Sequence, residues 1–383
     1  MRSLIDELPA SKIREVANAA LGRADVLAFW FGESDEPTPA YIREAAQRSI
    51  AAGETFYAHN LGLPELREAI AAYMGGLHGA VPAERIAVTS SGVNALMLAS
   101  QALVGAGDEV VAVVPVWPNL VSQPAILGAR VNRVALRPRQ GAWSLDVDEL
   151  LAAITPRTAM LVVNAPNNPT GWTLTRDEQA AILAHCRRTG TWIVADEVYE
   201  RLYYVDGADC APGFLDLATP QDRVVSIHSF SKSFLMTGWR LGWMVGPERL
   251  VAAMAKLIEF NTSCAPVFVQ RAGIAALGRA REEVPALVQR MKTCRDMLLP
   301  RLAAIPGVEV AAPRGGMYAF FRMPGSADSL ACAKALVAEA GLGLAPGVAF
   351  GPEAEGWLRW CFASHDPLRL VEGIRRLESW PRL

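Results

Sequence analysis

Between Arg85 and Gly246, short β-branched runs alternate with segments of helical periodicity, and this alternation restricts the possible folds more than any other feature of the chain. Strands joined by helical crossovers run parallel, and a parallel sheet must be covered on both faces. The pattern predicts strands over 85–90, 109–114, 130–136, 159–163, 191–195, 224–228 and 241–245, with helices over 93–104, 146–154 and 176–188 among them. Two more helices precede the sheet, 40–52 stopped by Gly53 and 64–77 opened by Pro64, a residue tolerated at a first helical position. After Gly246 the pattern changes to longer helices at 248–260, 267–277 and 285–304. Strands at 308–311, 317–322 and 357–362 follow, with helices at 327–340 and 367–378. The expected fold is α/β: a large domain over 46–280 built on a mostly parallel seven-stranded sheet, and a smaller α+β domain over 281–383. Residues 1–45 are too few for a core of their own and are expected to pack with the small domain.

At 383 residues the chain exceeds one ordinary core, and 51% hydrophobic with 20% charged residues is the composition of a protein folded throughout. A formal charge of −2 with no Lys/Arg block argues against a nucleic-acid partner and for a small molecule. Residues 1–12 lack the apolar stretch of a secretory signal, which points to the cytoplasm. The uncharged stretch 110–129 is broken by Pro115, Pro118 and Pro124 and by polar residues, so no membrane span is expected. Six dispersed cysteines without C-x-x-C spacing suggest neither a disulfide framework nor a zinc site, and no metal is expected.

Open parallel sheets bind ligands beyond the carboxyl ends of their strands. Five such ends carry polar or aromatic residues: Ser91-Gly92, Trp117, Asn164 to Gly171, Asp196 with Tyr199, and Ser229 to Arg240. Lys232 lies in the last of these loops, whereas Lys12, Lys256, Lys292 and Lys334 fall on amphipathic helices. An amine among hydroxyls, with Arg240 near enough to supply a second cation, suits a carbonyl cofactor carrying a phosphate. Asp196 ends an apolar strand, where a carboxylate needs a cation or donors; it either meets a protonated ring nitrogen or caps a helix over 197–204. Tyr199 either reaches the same ligand or simply packs. Ser91-Gly92-Val93 opens a helix, whose N-terminus can hold phosphate or be ordinarily capped by Ser91. Trp117 can stack on a flat heterocycle or join the core.

Two rival chemistries fit poorly. Gly105-Ala106-Gly107 follows a helix and precedes a strand, the reverse of a dinucleotide fingerprint. His59, His78, His185, His228 and His365 show no triad order or metal spacing, and His78 and His185 read as helix-surface residues.

N-A-P-N-N-P-T-G (164–171), A-D-E-V-Y (195–199), S-F-S-K-S-F (229–234) and G-W-R-L-G-W (238–243) stand in an order and spacing that resemble the class I/II aminotransferases of pyridoxal phosphate (PLP) fold type I, over almost the whole chain. The resemblance implies that Lys232 carries PLP as a Schiff base and acts as the catalytic base and acid. It implies that Asp196 pairs with the pyridinium nitrogen and that Asn168 and Tyr199 hold the phenolic oxygen. Ser91, Gly92, Val93, Ser229 and Arg240 then cup the phosphate, and Trp117 stacks on the ring. Tyr57, in F-Y-A-H-N-L-G-L-P-E-L-R, resembles a tyrosine that reaches a partner subunit's phosphate, which implies a homodimer with shared sites. Arg359, in W-L-R-W-C-F, matches the arginine that grips the substrate α-carboxylate, with Asn168 beside it and Gly32 offering a backbone N–H.

By the same resemblance an amino acid and a 2-oxo acid exchange an amino group in a ping-pong cycle. The motifs leave open a lyase or oxidase of the same fold, because fold does not fix function. A PLP-sensing transcription regulator needs a DNA-binding domain that the short, non-basic stretch before Gly32 does not provide. Val93 departs from a lysine that some aspartate-using relatives place there, and Phe29, Trp30, Phe31 and Trp117 suggest an apolar substrate pocket.

Overall fold

The computed structural model describes residues 2–381; Met1, Arg382 and Leu383, at the ends of the expected domain ranges, lie outside the described residues. The seven expected strands form one sheet: β1 Ile86–Thr89, β2 Glu109–Val114, β3 Arg130–Ala135, β4 Thr158–Asn164, β5 Trp192–Asp196, β6 Val224–Ser229 and β7 Gly242–Val245. Their spatial order is β1-β7-β6-β5-β4-β2-β3. Only β7 runs antiparallel to its neighbours, and the other pairs are parallel. Alternate residues feed two cores, as the period of two requires: Val111, Val113, Leu161, Val163 and Ile193 on one face, Val110, Ala112, Met160, Val162 and Val194 on the other. At the edge, β3 leaves Arg130, Asn132 and the flanking loops partly in water.

A second sheet, entirely antiparallel, contains β8 Glu309–Val310, β9 Tyr318–Arg322, β10 Ala345–Pro346 and β11 Leu358–Cys361 in the order β8-β9-β11-β10. The N-terminal segment lies on this unit. Leu27–Ala28 pairs in parallel with Leu342–Gly343, and Glu15 Oε1 sits 2.6 Å from Lys334 Nζ. Asp35 accepts from the Ser364 hydroxyl at 2.8 Å, from the His365 N–H, and from Arg369. The apolar core on the outer face of β4 and β5 continues without a break into the second sheet.

Several local expectations need correction. The third long helix is Ala280–Ala304, with Pro285 inside it. Ala280 and Val284 bury apolar surface ahead of the proline, which is why the helix starts before the residue that best marks a first turn. Residues 327–340 form an α-helix, Ser329–Ala335, that widens into a π turn over Leu336–Ala340. The stretch 197–204 is a run of turns rather than a helix. A hairpin, Arg137–Arg139 against Ala142–Ser144, turns through Gln140 and Gly141, both at positive φ; Gln-Gly lacks the Asn or Asp that signals such a turn. His78 is no surface residue: it ends the helix Pro64–His78 buried, with one ring nitrogen 3.0 Å from Glu200 and the other 2.7 Å from Asp216. All six cysteines are free thiols, and among the described residues no helix is long and apolar enough to cross a membrane.

Candidate active site

Strands β1, β2, β4, β5 and β6 end at one edge of the large sheet, and a cavity of about 320 Å³ opens there, within the usual size of small-molecule sites. Gly32, Gly92, Val93, Trp117, Asn168, Asp196, Tyr199, Ser229, Lys232, Arg240 and Arg359 all line it. Ser91 stands just behind as N-cap of the helix Gly92–Leu103, its hydroxyl accepting from Asn94 N at 3.2 Å. Tyr57 is the exception: it is 88% exposed and is not part of this wall.

Each side chain is placed by its strand. Ser91 takes φ +123°, a conformation costly outside glycine, and Thr89 Oγ1 holds its carbonyl at 2.9 Å. That sharp turn aims the first N–H groups of the helix into the cavity, where they and the positive end of the helix dipole favour an anion. The Ser229 and Ser231 hydroxyls lie 2.9 Å apart on the same side. Gly242 lets β7 close against this turn, since a Cβ there would come within 2.6 Å of Gly92 N.

Opposite charges face each other across the floor. Asp196 is 2% exposed, and its carboxylate accepts from Val198 N at a long 3.4 Å. Burial pushes its pKa up to about 7, against the pull of that N–H and of His228. Lys232 Nζ donates to Gly32 O at 2.6 Å, and burial above all holds its pKa down at about 8. The cation that adds to this lowering is Arg359, not Arg240 as expected: Arg240 is exposed and spends one guanidinium nitrogen on Thr237 O at 2.7 Å.

Gly32 shows its carbonyl to Lys232, and a Cβ at this position would overlap Tyr318 Oη at 2.1 Å. Arg359 is 2% exposed, clasped between the rings of Tyr318 at 4.4 Å and Phe350 at 4.8 Å. Its guanidinium donates to Asn168 Oδ1 at 2.9 Å and to Trp30 O, while Nε is buried without a hydrogen-bond partner. A buried donor of this kind is costly unless an acceptor arrives. Tyr199 Oη meets Tyr318 Oη at 2.7 Å, and Asn168 Nδ2 at 3.4 Å. Phe29 and Trp30, expected in the pocket, point into the core instead: Phe29 packs at a tilt against Trp360, and Trp30 packs over Gly343.

Tyr318 escaped the sequence reading, and Asn164, noted there only as the start of a polar strand end, was given no role. Tyr318 opens β9 of the antiparallel sheet, to which the strand-end rule does not apply. Asn164 closes β4, with Nδ2 on Asp196 O at 2.9 Å and Oδ1 accepting from Asn168 N at 2.7 Å; its polar character at a strand end was the signal available.

Asp196 tests whether PLP fits. A buried carboxylate with one weak donor, facing an open cavity, calls for a cation, and a protonated pyridine nitrogen is one. An amine across the same cavity and an anion-binding helix end beside it supply partners for the other two polar parts of that cofactor. Sheet and site together define a PLP enzyme of fold type I.

The chain belongs to the class I and II aminotransferase family, whose family model matches residues 25–377. It is 34% identical to an aspartate aminotransferase of Pyrococcus horikoshii over 96% of this chain and 94% of that one. An arginine–pyruvate transaminase of Pseudomonas aeruginosa is 35% identical over 92% and 89%. Among solved structures, a Thermus thermophilus aspartate aminotransferase single mutant superposes with a TM-score of 0.90 at 32% identity, covering 99% of this chain and 98% of that one. The protein is therefore a PLP-dependent transaminase, acting on an amino acid and a 2-oxo acid.

Proposed function

We propose that this transaminase works as a cytoplasmic homodimer on L-amino acids with apolar or aromatic side chains, with Lys232 as its catalytic base and acid. The observation that carries the reading is the wall of the cavity. Its three cations each have a place in the reaction: Lys232 at the reacting carbon, Arg240 at the phosphate, and Arg359 at the α-carboxylate. The remainder of the wall includes Ile13, Phe31, Val93, Leu96 and Trp117, a surface that favours apolar groups. Six free thiols suit a reducing compartment.

PLP, when bound, supplies a carbonyl that condenses with amines and a ring that accepts the electron pair left at the amino acid's Cα. The protein supplies the rest. The first N–H groups of the helix Gly92–Leu103, with Ser91, Ser229 and Arg240, would hold the phosphate, and Trp117 would cover the ring. Asp196 would keep a proton on the pyridine nitrogen, and Asn168 with Tyr199 would fix the phenolic oxygen. Arg359, held planar between two rings, binds the α-carboxylate with its free Nε and orients Cα toward Lys232. With its pKa near 8, Lys232 Nζ has a substantial neutral fraction at physiological pH, so it could take the Cα proton and deliver it across the nitrogen to the carbon that was the cofactor's carbonyl. Residues 46–280 and 281–383 then serve as large and small domains, with 1–45 riding on the latter.

A panel of amino acids with one 2-oxo acid acceptor tests the substrate class. Leucine, methionine or phenylalanine is expected to exceed aspartate in kcat/KM by at least about tenfold, each tenfold being 1.4 kcal/mol of pocket contact. V93K is expected to narrow that gap by adding a cation where a distal carboxylate would lie. Aspartate as the best donor of the wild-type protein would refute the apolar assignment.

A further inference from the structure

Behind Asp196, on the far side of β5 and β6 from the cavity, lies a row of buried titratable groups that the reaction above does not use. Glu197, Glu200 and His228 are each no more than 5% exposed, and their ligating atoms lie within 4.8 Å of one another. Glu197 Oε1 accepts from Phe214 N at 3.0 Å, and Oε2 meets the Ser226 hydroxyl. Ser226 Oγ is in turn 2.6 Å from His228 Nε2. On its other side, His228 Nδ1 lies 3.2 Å from Glu200 Oε1, and the ring stacks on Trp243 at 5.1 Å and 11°. Glu200 Oε2 continues to His78 Nε2, His78 Nδ1 to Asp216, and Asp216 to the exposed Arg176 at 3.1 Å. The row thus runs from the surface to the back of the active site, where Glu197 follows Asp196 in the chain and its N–H binds Ile227 O, next to His228.

Proton accounting leaves two arrangements. A hydroxyl has one proton to give. Either Ser226 donates to an ionised Glu197 and accepts from His228 Nε2–H, or a protonated Glu197 donates to Ser226, which then donates to a bare His228 Nε2. Nδ1 makes no well-aligned hydrogen bond, but the Glu200 carboxylate 3.2 Å away favours a proton on it in both. The first arrangement has a buried imidazolium and carboxylate; the second has neither charge. Burial raises the Glu197 carboxyl, which brings the two states closer in energy. The surrounding charges are Glu200, His78 and Asp216 along the row and Asp196 and Lys232 at the site, with Tyr73, Cys210 and Arg201 flanking Glu200.

We propose that one proton shared along Glu197–Ser226–His228 sets the ionisation of Asp196, making His228 and Glu197 positioning residues for the cofactor's ring proton. With the proton on His228, a cation stands behind Asp196 and favours its carboxylate; with the proton on Glu197, that support is gone. Of the two groups, His228 acts on Asp196 more strongly than Glu197 opposes it. The inference rests on the reading that Asp196 pairs with the pyridine nitrogen.

The test is the pH titration of visible absorbance in the PLP-loaded protein, with PLP affinity measured on the apoprotein. A ring nitrogen that loses its proton withdraws less from the imine at Lys232, so the absorbance midpoint rises. H228Q is expected to raise the midpoint by roughly half to one pH unit and weaken PLP binding about three- to tenfold; E197Q, which fixes that position in the uncharged form and takes the counter-charge from His228, is expected to raise the midpoint too. A rise in E197Q is the signature of the shared proton, since loss of a carboxylate's charge alone would lower the midpoint, and a fall would overturn the proposal. Should H228Q fold poorly, S226A keeps both titrating groups and removes only the relay; it is expected to move the midpoint and to leave far-UV circular dichroism unchanged. D196A separates the two claims. If D196A shifts the midpoint while H228Q, E197Q and S226A leave it at the wild-type value, the proposal is wrong and the Asp196 reading stands. If D196A also leaves it unmoved, both fall.

Discussion

Asp196 carries a cost in the absence of its partner, and that cost gives it a pH signature. Its folded pKa, about 7, lies above the ordinary 3.8, so its contribution to stability is complete below about pH 4 and is lost as pH rises toward 7. D196N removes the charge. Apo D196N is therefore expected to be more stable than the apo wild type, by an amount that widens between pH 5 and 7, levels off above, and reaches up to roughly 4 kcal/mol. Thermal unfolding of both apoproteins at pH 5 and 8.5 checks this; a difference that does not depend on pH would mean that Asp196 is not the buried acid described. Asp196 and Arg359 stood out as single residues because each puts a charge inside an apolar stretch, and Lys232 because it is an amine among hydroxyls in a strand-end loop. The sequence could not show which atoms they touch. Arg240 looked like the cation beside Lys232 because it is near in the chain, whereas Arg359 arrives from another sheet. Phe29 and Trp30 were misplaced for the same reason: their neighbour Gly32 faces the pocket, but their own rings pack inward.

At the scale of elements, the central strands were readable because a doubly covered strand is apolar along most of its length, as β2 and β4 are between their ends. Helices with a polar face were equally clear. Reading failed where length was too short to carry a period. Leu27–Ala28 and Leu342–Gly343 are two-residue strands, each held by the other from far away in sequence, and Ala345–Pro346 is as short and is held by Leu358–Arg359; tertiary contact alone defines them. The stretch 197–204 shows a related failure. It has helical composition, yet Glu197, Glu200 and Arg201 each turn inward to separate partners, which a regular helix face could not satisfy. His78 was misread because one end of its helix is buried by Glu200 and Asp216, acids that lie 122 and 138 residues away.

For the whole molecule, Tyr57 is the residue that the single chain leaves unexplained. It is exposed, with Phe56 at 84% and Phe260 at 90% also bare, and contiguous apolar exposure of this kind marks association surfaces. In the proposed dimer, Tyr57 completes the partner's phosphate site. K232A and Y57A are each expected to be impaired, and hybrid dimers made by mixing them are expected to regain activity, since one of the two sites then holds both intact residues. No recovery in verified hybrid dimers would mean that the sites are not shared.

The central claim, that Lys232 and its surroundings carry an amino group between substrate and cofactor, is tested most directly by a single half-reaction. The PLP-loaded protein is mixed with one apolar amino acid and no 2-oxo acid, and the absorbance is followed while products are assayed. The account predicts conversion of bound PLP to the pyridoxamine form with one equivalent of 2-oxo acid per site, and no conversion in K232A. An unchanged cofactor spectrum while ammonia or another product accumulates, or full conversion in K232A, would contradict it.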